Sequence, residues 1–142
     1  DVHVGAIERS NRTVKERTRC LLHNLPYKRY PKLMVERCVH KAIKDLNQVP
    51  ALDGVSDTIG VTTLITGSPE PDFKRIMSLN YGDYVHVHDK TDNTTKSRSV
   101  GAIALFPSGG SDGGWYFMSL LTGKRIHRSV WLELPATKDV IA

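Results

Sequence analysis

The sequence predicts an α+β protein in which two amphipathic helices precede a small antiparallel barrel. Three observations support that class. Apolar residues recur at helical spacing from Gly5 to about Leu46, alternation becomes strand-like beyond Gly82, and glycine-rich or polar turns separate the alternating runs.

The first helix is predicted over Gly5 to Leu25, with Ile7, Val14, Thr18, Leu21, Leu22 and Leu25 as its buried stripe. It closes at Leu25-Pro26, because a residue ahead of proline disfavours helical geometry. The second begins at Pro31, a favoured first-turn residue, and runs to about Leu46. Its stripe takes Leu33 or Met34, then Cys38, Val39, Ala42, Ile43 and Leu46, and Asn47 and Pro50 end it. The short link from Pro26 to Tyr30 predicts that the two helices pack as an antiparallel pair. Between Ala51 and Tyr81 only Thr62 to Thr66 reads as helical, stopped by Gly67, Pro69 and Pro71. Five strands follow: Tyr84 to His88, Val100 to Phe106, Trp115 to Leu121, Arg125 to Arg128 and Val130 to Leu134. Short strands joined by tight turns predict a barrel of the SH3-like kind. The expected boundaries are helices over 1–50, a linker over 51–81, the barrel over 82–135 and a tail over 136–142. No internal repeat is present.

A length of 142 residues suits one domain or two very small ones. Lys and Arg number 20 against 15 Asp and Glu, a net charge of +5. With a pI near 9.3 and a mean hydropathy of −0.31, the composition fits a folded, soluble chain. No apolar run approaches the roughly 18 residues that a membrane helix needs, and no charged-then-apolar leader opens the chain. No membrane partner is expected. Cys20 and Cys38 are too few for a disulfide scaffold, so an intracellular location, nucleus or cytoplasm, is expected. A start at Asp1 instead of Met predicts a processed product or a fragment.

The charge is unevenly spread. Residues 1–50 hold 11 basic and 5 acidic side chains, 51–95 hold 3 and 7, and 96–142 hold 6 and 3. A basic first block points to a polyanion, most plainly nucleic acid. On the first helix Glu8, Arg12, Lys15 and Arg19 fall at i, i+4, i+7 and i+11, with Asn11 beside them. One carboxylate beside a row of cations and an amide suits metal-dependent phosphoryl transfer on DNA. The carboxylate would hold a divalent ion, and the cations would take neighbouring phosphates. The same spacing also describes a solvated helix face laced with weak ion pairs.

Gly5 to Lys15 has the form G-x-I-E-x-x-N-x-x-x-K. It resembles the segment that carries the third acidic residue of retroviral and retrotransposon integrases. Further landmarks follow in order: Asn47-Gln48-Val49-Pro50, Thr66-Gly67, Pro71-Asp72 and Gly82-Asp83-Tyr84-Val85. That order is similar to copia-type elements. Val100 to Ile103, Gly113 to Tyr116, and Leu121 to Lys124 with Arg128 resemble the barrel that follows in such polyproteins. The likeness covers nearly the whole chain. It implies the helical end of a ribonuclease H-like catalytic domain followed by the barrel, with Glu8 the metal-binding glutamate and Lys15 the DNA-contacting lysine. It also implies DNA (element ends and target) as partner and magnesium or manganese as the ion of the complete domain. A homo-oligomer is left open.

The pattern is incomplete. Only seven residues precede Glu8, so the two earlier aspartates have no counterpart, and neither has the histidine–cysteine zinc module. Gly60-Val61-Thr62 stands where a serine- or threonine-proline pair usually lies. The expectation is therefore an integrase fragment that binds DNA and holds no metal alone. A competing expectation is a non-catalytic barrel module that binds protein or chromatin.

Other constellations have simpler readings. His86 and His88 share a strand face without a third ligand, and Cys20 and Cys38 read as packing residues. Ser108 to Gly114 reads as a hairpin turn, since no Gly-Lys-Ser/Thr follows it into a helix. Lys124, Arg125 and Arg128, beside Trp115 and Tyr116, form a candidate DNA platform, although the aromatics equally suit a core.

Overall fold

A computed structural model describes residues 4–50, 56, 58–69, 72–89, 93–109 and 113–141. The chain divides into two compact units: Asp1–Leu25 with Cys38–Asp72, and Pro26–Arg37 with Phe73–Ala142. The division falls inside one helix. Among the described residues no helix is long and apolar enough to cross a membrane.

The first unit contains α1 (Gly5–His23), the Cys38–Gln48 part of α2 (Lys32–Gln48), and α3 (Val61–Thr66). Glu8 lies in the first turn of α1, where a carboxylate suits the helix dipole, and His23 lies in the last turn. The expected stripe on α1 is only partly buried. Thr18 is its one buried residue, whereas Ile7 is 58% exposed and Val14, Leu21 and Leu22 are half-buried. The reason is local: α1 meets α2 at its middle, where the Cys38 thiol donates to the Thr18 carbonyl at 3.8 Å. Thr18 turns its own hydroxyl onto the Val14 carbonyl at 2.8 Å, which satisfies it without a partner on another element.

Cys38 is fully buried and Cys20 is exposed. Burial pushes the Cys38 thiol up to about 11, against a smaller opposing effect of Lys41. Its stabilising effect is complete below the ordinary thiol value of 9.0 and is lost as pH rises through about 11. Wild-type stability should therefore fall over that alkaline window more steeply than that of Cys38→Ala. At pH 8 a thiol reagent should modify Cys20 quickly and Cys38 only on unfolding. Equal rates at the two cysteines would contradict this burial.

The expected short helix is present as α3, ended by Gly67, whose φ of 66° lets its N–H reach the Thr63 carbonyl at 3.0 Å. Gly60, its N-cap, lies against the end of α2. A Cβ placed there would stand 2.5 Å from the Gln48 carbonyl oxygen and 3.0 Å from that of Asn47.

The second unit is built on an antiparallel sheet of β1 (Tyr84–His88), β2 (Ser99–Pro107), β3 (Trp115–Ser119), β4 (Arg125–Arg128) and β5 (Trp131–Glu133). Strand order is β4-β3-β2-β1-β5, so β5 returns to pair with β1 after a four-strand meander. All five strands fall where alternation predicts them. The closed barrel does not form: β4 and β5 are the edges of an open sheet, four and three residues long. Closure would require bonding between these two strands, and among the described residues no ladder joins them.

One sheet face carries Val85, Val87, Ala102, Ala104, Trp115 and Phe117, clustered with Leu79 and flanked by Ile126 and Trp131. Ile103 and Met118 are buried on the other face. There the Tyr27 hydroxyl donates to the Gly82 carbonyl at 2.7 Å, and the Tyr81 hydroxyl donates to the Met34 carbonyl. Cover on both faces makes Ala102 to Pro107 continuously buried, where single-face packing would give alternation. An irregularity between Ala104 and Phe106 shifts the β2–β3 register and bends the strand. Two four-residue helices, α4 (Phe73–Ile76) and α5 (Lys138–Ile141), complete this unit. The turn expected over Ser108 to Gly114 is closed by Ser108 N–H and hydroxyl bonds to the Gly114 carbonyl, both 2.9 Å. Residues 110–112 of that turn, Pro71 of the T-G/P-D landmark and 51–55, 57 and 70 of the expected linker lie outside the described residues.

Candidate nucleic-acid interface

In the first unit, Glu8, Asn11, Arg12, Lys15 and Arg19 line one shallow hollow along α1, together with Glu16. All six are exposed. Spacings of three, four and seven put them on one side of the helix, while Thr18 faces the buried side. Glu16 was not singled out in the sequence, although i+8 from Glu8 places it on this face. Its carboxylate accepts from Arg12 Nε at 3.0 Å. Both side chains are more than half exposed, so water competes with the pair and a phosphate can displace the carboxylate at little cost. The face carries three cations and two carboxylates. Between Lys15 and Arg19 the face presents cations, whereas Arg12 is partly neutralised by Glu16.

Counting by compact unit regroups the charge. The first unit holds 7 basic and 8 acidic residues and the second holds 13 and 7. The positive excess therefore belongs to the second unit. α1 itself is basic, with five cations against two carboxylates, and its Glu8 face holds three of those cations and both carboxylates.

The expected platform on the sheet is split by strand alternation. Arg125 pairs in register with Met118 and stacks its guanidinium 4.5 Å above the Tyr116 ring. Phe106 and His127 lie 5.0 and 5.3 Å from that same ring. Arg128 pairs with Trp115, hence on the opposite face. Its Nε donates to the His88 carbonyl at 2.8 Å, its Nη1 to the His127 carbonyl at 2.7 Å, and Nη2 lies 3.8 Å from Asp89. Arg128 thus ties β4 to the end of β1. Trp115 is fully buried, with Nε1 donating to the Arg75 carbonyl at 3.5 Å, and is a core residue. Lys124 is exposed in the turn after Gly123. Of the expected set, Arg125 and Tyr116 form one accessible cation–ring unit, Lys124 precedes it, and Arg128 and Trp115 do structural work.

His86 bonds Tyr84 through Nε2 at 2.9 Å and Ser99 through Nδ1 at 3.2 Å, so both ring nitrogens serve the sheet. Among the described residues no group of three His, Cys, Asp or Glu side chains could hold a metal ion. Glu8 brings one carboxylate to α1, and Glu16 is engaged with Arg12. These residues do not fit a two-ion centre. No chemical step on this chain is assigned to a metal.

No family model, curated protein or solved structure matches the chain.

Proposed function

We propose that this chain is a DNA-binding part of a copia-type retrotransposon integrase, acting in DNA integration and incomplete as a catalyst alone. The observation that carries this reading is the α1 face, where Glu8, Asn11, Lys15 and Arg19 stand exposed along one hollow. Lys15 and Arg19 bind consecutive phosphates, and Asn11 donates to a phosphate or a base edge. Glu8 is the one member of the acidic triad that this chain carries. In the complete domain it would be one of the carboxylates that hold magnesium or manganese, which would supply the charge stabilisation for strand transfer.

The second unit supports the same reading through its strand order. A meander whose last strand returns to the first is the SH3-like order, held here in an open sheet. Arg125 over Tyr116 offers a cation and a ring to a nucleic-acid strand. A protein with this role works in the nucleus or cytoplasm.

The test is equilibrium binding of the full chain to duplex DNA across salt concentration. Lys15→Ala should weaken binding to all sequences alike and lower the slope of log affinity against log salt by about one unit. An unchanged slope would remove Lys15 from the interface.

A further inference from the structure

The second unit has an apolar hollow of about 470 Å3 on the sheet face opposite the Trp115 core. Its floor is Met34, Ile103 and Met118, none more than 4% exposed, and Leu120 stands at its edge, 44% exposed. α5 forms a wall through Val140 and Ile141. Two exposed cations, Lys28 and Arg29, line it as well, and neither makes an ion pair among the described residues. The Tyr27 hydroxyl is already spent on the Gly82 carbonyl. A ligand here meets aliphatic and thioether groups below and positive charge at the side.

We propose that this hollow receives an acidic, leucine-bearing peptide segment of a protein partner. Its volume is that of an ordinary ligand site, about 300–1,000 Å3, and admits a few aliphatic side chains. Two unbranched methionines on the floor re-pack around different aliphatic shapes. Charge selects the partner: Lys28 and Arg29 face the ligand, and the unit's 13 basic against 7 acidic residues draw acidic segments in. Two adjacent cations match more than one carboxylate, which a peptide supplies and a single-headed amphiphile does not. A nucleic-acid backbone gains nothing from the aliphatic floor. This inference is independent of the integrase reading, because it uses no residue of α1 and no DNA.

The three methionines provide the test. Met34 and Met118 lie in the hollow, whereas Met77 is 69% exposed and outside it. The full chain, labelled with 13C at the methionine methyls, is titrated with a synthetic decapeptide of alternating aspartate and leucine. Saturable shifts are expected at Met34 and Met118 and none at Met77. Leu120→Asp should weaken binding about tenfold, and so should Lys28→Glu combined with Arg29→Glu. The latter pair is exposed and keeps the test alive if Leu120→Asp disturbs the turn. An all-aspartate peptide should leave Met34 and Met118 unmoved. The inference is overturned if Met34 and Met118 stay still with the leucine peptide, or if all three methyls shift alike. Tighter saturation by dodecanoate, or by duplex DNA, would equally overturn it.

Discussion

Trp115→Ala is expected to unfold the second unit, or to leave it at the edge of stability. The indole is fully buried at the centre of the apolar face, beside Phe117, Ala104 and Leu79. Removing a side chain of that size costs roughly 3–5 kcal/mol, through lost transfer energy and the cavity left behind. Whole domains hold only about 5–15 kcal/mol. The Arg75 carbonyl loses the Trp115 Nε1 donor at the same time. Trp131, which packs 5.6 Å from the Phe117 ring, is the other tryptophan and remains as the fluorescent reporter. Its emission should shift towards that of exposed indole, and the urea midpoint should fall sharply. Trp115→Phe keeps most of the volume and should lose much less. A Trp115→Ala midpoint equal to wild type would show that the sheet core is not centred on Trp115.

Gly60→Ala is expected to have the second largest effect, through crowding. The added methyl would stand 2.5 Å from the Gln48 carbonyl oxygen and 2.8 Å from its carbon, both backbone atoms at the end of α2. A flexible side chain could swing aside, but a helix terminus has to move bodily. Overpacking of this kind costs about 1–3 kcal/mol. The damage should be confined to the first unit, so amide exchange should accelerate around Thr18 and Cys38 while the sheet keeps its protection. Gly60 has an ordinary φ of −67°, so backbone strain plays no part. An unchanged unfolding midpoint would mean that α2 does not end against Gly60.

Gly60 also shows how far the sequence could be read. Nothing in the sequence around it signals that the α2 terminus lies against it. Elements with a strong period were legible: α1, α2 and all five strands lie within a few residues of expectation, because alternation and turn residues act locally. Helices α4 and α5 carry no period in four residues each. The unit boundary was invisible because α2 runs unbroken across it, while Tyr27 bonds the Gly82 carbonyl and the Met34 carbonyl accepts from Tyr81 on the side of the second unit. Barrel closure depends on whether β4 and β5 meet, which no local pattern encodes.

The candidate site divides the same way. The α1 face was legible because helical spacing alone brings Glu8, Asn11, Arg12, Lys15 and Arg19 together. The sheet platform was not, because one residue of strand offset sends Arg125 and Arg128 to opposite faces and buries Trp115 while Tyr116 takes the cation. Burial on both sides of β2, and hence the hollow over Met34 and Met118, follows from the Pro26–Arg37 link folding onto the sheet.

Whether the α1 face binds DNA is read from the salt dependence of duplex binding by the full chain. Two single variants of α1 decide it: Lys15→Ala on the Glu8 face, and Arg17→Ala on the other side of the same helix, also exposed. Each removes one cation, so net charge changes equally. The salt slope should fall by about one unit for Lys15→Ala and stay at the wild-type value for Arg17→Ala. Equal losses from both variants, or no salt-dependent binding by the wild-type chain, would contradict a DNA interface on that face.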